Sequence, residues 1–80
     1  MEIIPINEIK VNMVNVKSSN IARIGYNEKA VILAIEMLNS NLYYYLDVPR
    51  LIYEQLLTAP AIGSYFSINM KGKYRYVRIN

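Results

Sequence analysis

The apolar positions of the chain fall into short runs separated by turn residues, a pattern typical of a small β-sheet. Residues 21–26 predict a strand that runs into a turn at residues 25–28, and residues 31–38 predict a second strand. The polar cluster at residues 39–41 lies between apolar runs, so the Tyr-rich residues 42–48 are expected to return as the other arm of a β-hairpin.

The segments outside this hairpin predict a helix, one ambiguous stretch and two further strands. Pro49 suits the first turn of a helix, and the apolar residues that follow it recur at helical spacing. We expect this helix to end near Ala59, before Pro60. Residues 63–70 fit a short helix or an irregular packed segment, and residues 73–79 predict the last strand. An additional N-terminal strand is allowed by apolar residues that alternate with polar ones: Ile9, Val11 and Met13.

Together the elements predict an α+β fold, in which residues 1–80 form one domain with a small antiparallel sheet of three to five strands. One main helix packs on one face of the sheet, and a short helical segment follows it. A three-residue loop at residues 39–41 would pair Met37 with Tyr43 and Ile35 with Tyr45, placing both tyrosines on the core face. A two-residue loop would exchange the two faces.

The opposite face of the predicted sheet is also apolar. Contiguous exposed apolar area on a small protein commonly marks a contact surface. Residues 1–16, a second copy of the chain or a different protein could cover it. As a protein interface, this face would present four residues: Ile32, Ala34, Tyr44 and Leu46.

The composition removes most catalytic chemistry. The chain has no His and no Cys, which excludes the commonest general base, a thiol nucleophile, disulfides and ordinary zinc, haem or iron–sulfur sites. No two carboxylates have a spacing that forces them together as an acid/base pair, and Ser18 and Ser19 have no His partner. We therefore expect a binding protein that is not an enzyme and has no cofactor or metal.

Positive charge is concentrated at the end of the chain. Residues 1–70 hold five basic and six acidic side chains, whereas residues 71–80 hold four basic side chains and no acid. Basic residues that alternate with tyrosines can contact phosphates while the rings stack on bases. The alternative is a solvated basic edge strand that discourages aggregation. The candidate nucleic-acid-binding residues are Lys71, Lys73, Tyr74, Arg75, Tyr76 and Arg78.

The sequence predicts no association with a membrane. Its longest fully apolar run is residues 30–35, and the opening residues lack the basic region of a secretory signal. We therefore expect a cytoplasmic protein.

Six short sequence motifs, in order, resemble those of the KTSC family. Its members are small bacterial and phage domains that also occur at the C-terminus of some lysyl-tRNA synthetases. The resemblance spans residues 16–79 without a gap, leaving residues 1–15 as an N-terminal extension. It implies a compact α+β domain without an assigned biochemical function, for which RNA binding has been suggested, and a location in a bacterial or phage-infected cell. The motifs are Ser18–Ile21, Ile24–Asn27, Tyr43–Tyr45, Val48–Pro49, Gly63–Phe66 and Lys71–Tyr74.

Two functions of different classes remain. The first is a non-catalytic module that binds RNA or another nucleic acid through the basic, Tyr-containing C-terminal strand. The second is a protein-interaction module that uses the apolar sheet face. Such a module could be a small phage-type regulator or inhibitor of the anti-defence type that docks on a host nucleic-acid machine, or a homodimer.

Overall fold

A computed structural model describes residues 5–80 of the chain as a five-stranded antiparallel sheet with two α-helices. Within these residues the strands lie side by side in chain order, so every neighbouring pair is antiparallel. The predicted α+β class is confirmed. The elements are a 3₁₀ turn (Ile6–Glu8), β1 (Met13–Asn15), β2 (Ile21–Asn27), β3 (Ile32–Met37), β4 (Leu42–Tyr45), α1 (Arg50–Thr58), α2 (Ile62–Asn69) and β5 (Tyr76–Arg78).

Strand β2 is longer than its sequence pattern indicates. Gly25 and Tyr26 belong to the strand, and the turn that was expected at residues 25–28 begins only after Asn27. The Asn27 side chain explains this position, because its Oδ1 accepts a 3.0 Å hydrogen bond from the Ala30 amide. Val31 completes the turn with a positive φ of 56°.

The β3–β4 hairpin keeps the predicted faces but not the predicted partners. Its loop is closed by a 2.9 Å hydrogen bond from the Met37 amide to the Asn41 carbonyl, one residue earlier than expected. Ile35 therefore pairs with Tyr43, and Leu33 pairs with Tyr45. Because side chains alternate with a period of two, this two-residue shift leaves both tyrosines on the core face.

Both helices cover that core face of the sheet. Leu56 of α1 is fully buried, and Phe66 of α2 meets the Tyr45 ring edge to face at 5.6 Å. The core also joins α1 to β2, because the Tyr26 ring stacks on Tyr53 at 5.5 Å. The buried core residues are Ile21, Ile24, Leu33, Ile35, Tyr45, Val48, Leu56, Phe66 and Met70.

The N-terminal segment covers the outer face of the sheet. Gly25 permits its close approach, since a Cβ at this position would overlap the backbone oxygen of Asn12 and crowd Val11. The expected extra strand exists as β1, although it lies at Met13–Asn15 and includes only the last of the alternating apolar residues. Residues 1–4 lie outside the described residues. We call residues 6–13 the N-terminal strap; its packing residues are Ile6, Ile9, Val11 and Met13.

This packing corrects the hypothesis of an exposed apolar interface. Ile32, Ala34 and Tyr44 are only 3%, 0% and 6% exposed, and Leu46 is partly buried beside them. Of the three covers considered from the sequence, the strap of the same chain occupies the face. These residues therefore form a second small core on the outer side of the sheet.

Two C-terminal segments are defined more closely by the structure than by the sequence. One was ambiguous, and the other is shorter than expected. The ambiguous stretch is a regular helix, α2, while α1 begins and ends where its pattern indicates. The last strand contains only Tyr76–Arg78, shorter than the expected residues 73–79. The chain first turns after α2, with a 3.0 Å hydrogen bond from the Lys73 amide to the Met70 carbonyl and a positive φ of 77° at Gly72.

Candidate functional site

A groove of about 260 Å³ lies between α2 and the β4–β5 edge of the sheet. The last turn after α2 provides one rim, and the chain entering β2 provides the other. Its floor is aromatic because the strand register brings Tyr76 directly opposite Tyr45, with Tyr43 on the same face. We call it the aromatic groove; its chemically distinctive lining residues are Tyr43, Tyr45, Phe66, Ser67, Lys71 and Tyr76.

The tyrosines of this groove differ in how much of each ring is available. Tyr45 is 7% exposed, and burial raises the pKa of its hydroxyl to about 12. Tyr76 is 58% exposed and leans on both neighbours, with ring centroids 5.6 Å from Tyr43 and 5.4 Å from Tyr45. A ring supported from below and open above can stack on a planar ligand. Tyr76 is therefore the exposed platform of the groove.

Charge around the aromatic groove is positive. None of the carboxylate side chains of residues 5–80 lines it. Within residues 5–80 the ion pairs belong to other arginines: Arg23 with Glu36, Arg50 with Glu28 and Glu54, and Arg75 with Asp47. Over the same described range, Lys71 and Arg78 make no ion pair. Their charge remains available to an anionic ligand.

The six predicted nucleic-acid-binding residues do not all lie in the same place. Lys71 and Tyr76 line the groove, and Arg78 lies directly opposite Tyr43 on the edge strand. The Arg78 guanidinium donates a 2.9 Å hydrogen bond to Oδ1 of Asn41, which holds it beside the groove. Lys73 is exposed in the turn after α2.

The remaining two residues correct the expectation of one continuous basic and aromatic strand. Tyr74 is partly buried and packs against the core beneath the sheet, so its ring is not offered as the pattern suggested. Arg75 lies 3.8 Å from Asp47, and both side chains are more than 80% exposed at 85% and 82%. The pattern of basic and aromatic residues was interrupted by the turn, so these side chains do not share the groove.

A second, more open groove of about 520 Å³ continues from the first. Asn20, Gly63 and Ser67 line both grooves, which are therefore contiguous. We call it the serine groove; its polar lining residues are Lys17, Ser18, Ser19, Asn20, Ser64 and Ser67.

Sequence reasoning missed the serine groove because its walls come from distant parts of the chain. One local signal was present: Gly63 and Ser67 lie four residues apart, which places them on one face of a helix. That signal depended on reading residues 63–70 as a helix, which the sequence left open. Lys17 carried no such signal.

Residues 5–80 contain neither a side-chain cluster suited to a metal ion nor a helix suited to spanning a membrane. No group of three or more His, Cys, Asp or Glu side chains there is placed to hold a metal ion. No helix in the same range is long and apolar enough to cross a membrane.

Comparisons with known proteins converge on one family. A family model described as the KTSC domain matches residues 17–74. This region includes the lining of both grooves except Tyr76. An uncharacterised protein of Stutzerimonas stutzeri is 35% identical over 68 residues, covering 84% of this chain and 96% of that protein.

Two other proteins extend the comparison to a larger protein and to a solved structure. A lysine–tRNA ligase of Nostoc punctiforme is 31% identical over 64 residues, which are 80% of this chain but only 11% of the ligase. The crystal structure of a KTSC domain protein from Yersinia pestis matches with a TM-score of 0.85 and 30% sequence identity. That match covers 89% of this chain and all of the other.

Proposed function

The chain belongs to the KTSC domain family, and on that premise we propose that it is a non-catalytic module that binds nucleic acid in the aromatic groove. The observation that carries the proposal is the exposed Tyr76 ring beside Lys71, in a groove that is lined by no carboxylate side chain from the described residues 5–80. The similarity to part of a lysine–tRNA ligase favours RNA as the ligand. We place this activity in the cytoplasm.

Binding would combine two contacts of different physical origin. A base would stack on Tyr76, a contact worth about 1–3 kcal/mol per base. Lys71 and Arg78 would neutralise adjacent phosphates. Because two such contacts on a single strand give a slope of roughly −1.4 in log K against log salt, affinity is expected to be modest and salt-sensitive.

A protein-interaction function through the outer sheet face has less support. A partner or second copy that docks on Ile32, Ala34 and Tyr44 would first have to displace the N-terminal strap. The displacement would uncover apolar area that the chain itself already buries. A regulator or inhibitor of this kind would therefore need another surface.

The test is fluorescence anisotropy of a labelled single-stranded RNA, titrated with protein at low and physiological salt. Tyr76→Ala is expected to weaken binding at least about five-fold, in keeping with the loss of one stacked base. Lys71→Glu should also weaken it, and more so at low salt. Lys29→Glu is the matched control, because Lys29 is exposed in the β2–β3 turn and carries the same change of charge.

Two results would overturn the proposal. One is the absence of binding at tens of micromolar protein and low salt. The other is an equal loss in Lys29→Glu and Lys71→Glu, which would show that only total charge matters. Circular dichroism of each variant establishes that the fold is retained.

A further inference from the structure

We propose that the aromatic and serine grooves form one path for a single strand, in which an unpaired base enters the first and the adjoining sugar-phosphate chain follows the second. The inference rests on the proposed function and deepens it. It adds Lys17 as a phosphate contact and restricts the ligand to unpaired nucleic acid.

Continuity of the path follows from the wall that α2 provides. Gly63 and Ser67 line both grooves, and Lys71 stands at the far end of the aromatic groove. Gly63 and Ser67 lie four residues apart on one side of α2, and Lys71 follows in the turn after the helix ends. A ligand that contacts Lys71 at one end is therefore led past Ser67 into the serine groove.

The two grooves have different chemistry, which suits the two parts of a nucleotide chain. Apolar and aromatic side chains dominate the aromatic groove, with Tyr76 as its exposed platform. The serine groove offers hydroxyl groups and Lys17, and no carboxylate from the part of the chain that the structure describes lines it. Hydroxyl and lysine side chains commonly bind phosphate and sugar oxygens, whereas aromatic rings bind base faces.

Ser18 is already oriented in a way that leaves a donor available. Its Oγ accepts hydrogen bonds from the amides of Asn20 at 3.2 Å and Ile21 at 3.3 Å. Because both bonds use oxygen lone pairs, the hydroxyl proton of Ser18 can still be donated. A phosphate or ribose oxygen in the serine groove would accept it.

The position of the platform also selects for unpaired bases. Tyr76 forms the floor of a groove flanked by α2, so a base must leave its own stack to reach the ring. Bases within a duplex remain stacked on their neighbours, whereas those of a single strand can be splayed onto aromatic side chains. A duplex would reach the lysines but not the floor.

The experiment measures how a change of charge at Lys17 affects the binding of a short and a long ligand. Uridine oligonucleotides of two and eight residues are titrated, the dinucleotide by NMR chemical-shift changes and the octanucleotide by anisotropy. Lys17→Glu is expected to weaken the octanucleotide about ten-fold and the dinucleotide less than two-fold, because only the longer chain reaches the second groove. Lys17→Gln should give a smaller loss, and Lys29→Glu is the matched control.

The outcomes separate this inference from the proposed function. If Lys71→Glu weakens the octanucleotide but Lys17→Glu leaves it unchanged, the continuous path is wrong and the aromatic groove stands. If a blunt RNA duplex binds as tightly as the octanucleotide, the requirement for an unpaired base is wrong. If neither oligonucleotide binds, both the proposed function and the path fail.

Discussion

The Tyr44 hydroxyl donates a 2.7 Å hydrogen bond to the carbonyl oxygen of Ile9, joining the middle of β4 to the N-terminal strap. The Tyr44 ring lies in the small core on the outer side of the sheet and is 6% exposed. One side chain therefore fills the outer face and fixes the segment that covers it. This contact explains why an apolar outer face need not be an interface between proteins.

Tyr44→Phe is expected to lower the free energy of unfolding by about 1 kcal/mol, because it removes this hydrogen bond while the ring remains. Chemical denaturation of both proteins measures the difference. Tyr53→Phe is the matched control, since the Tyr53 ring stacks on Tyr26 but its hydroxyl makes no hydrogen bond within residues 5–80. Equal losses in the two variants would contradict the assigned role of Tyr44.

Gly25→Ala is expected to destabilise the protein by about 1–3 kcal/mol, the usual cost of overpacking. The added methyl group would overlap the Asn12 backbone and push the strap away from β2. Gly63→Ala is a useful comparison, because a Cβ there would meet Ser18 Oγ at an ordinary 3.6 Å. Thermal melting should show a clear loss only for Gly25→Ala.

Alkaline pH is expected to unfold the protein as Tyr45 ionises. Burial raises the pKa of this hydroxyl from 10.0 to about 12. The folded state therefore holds its proton more tightly than the unfolded state, so stability is lost as pH rises from 10 towards 12. Absorbance of tyrosinate and circular dichroism, followed together, should change in this range.

Tyr45→Phe supplies the control for the alkaline transition. It keeps a ring against Phe66 and removes the ionisable group. We expect its alkaline unfolding midpoint to lie at higher pH than that of the wild type. An unchanged midpoint would assign the transition to another group.

Acid pH is expected to weaken the pairing of β2 with β3. Arg23 donates two hydrogen bonds to Glu36, of 2.7 and 2.8 Å, and these lower the pKa of the Glu36 carboxyl below its ordinary 4.5. The contribution of this pair is present above pH 4.5 and is lost as pH falls through the lowered pKa.

Glu36→Gln tests this pH dependence. It should melt at a lower temperature than the wild type at neutral pH, and the difference in melting temperature should narrow as pH falls below 4.5 through the lowered pKa of Glu36. A difference that stays constant over this range would show that the ion pair does not cause it.

Much of the fold could be predicted from short-range signals. Pro49 and the helical spacing after it defined α1, since both act within a few residues. Tyr43 and Tyr45 were correctly predicted to lie on the core face although their partners in β3 were not. A change of register moves a side chain to the other face only when the shift is an odd number of residues. The turn after β2 was predicted too early in the chain. Its position depends on the side-chain hydrogen bond of Asn27, which the hydrophobic pattern does not reveal.

The candidate site was predicted only in part. The sequence marked Lys71, Tyr76 and Arg78 by composition; Lys71 and Tyr76 line one groove, and Arg78 pairs with Tyr43 of its floor. Composition could not show that Tyr74 turns into the core or that Asp47 lies beside Arg75. Those outcomes depend on contacts between residues that are far apart or follow a turn.

The sequence by itself determined the class of fold, the order of its main elements and the absence of His and Cys chemistry, because these depend on local periodicity and residue type. Only the tertiary structure decided what covers Ile32 and Tyr44, and that Lys17 and Lys71 border two connected grooves. The apolar pattern of this face is compatible with burial by the same chain, by a second copy or by another protein. The fold selects the first, because it brings the N-terminal strap and the sheet together.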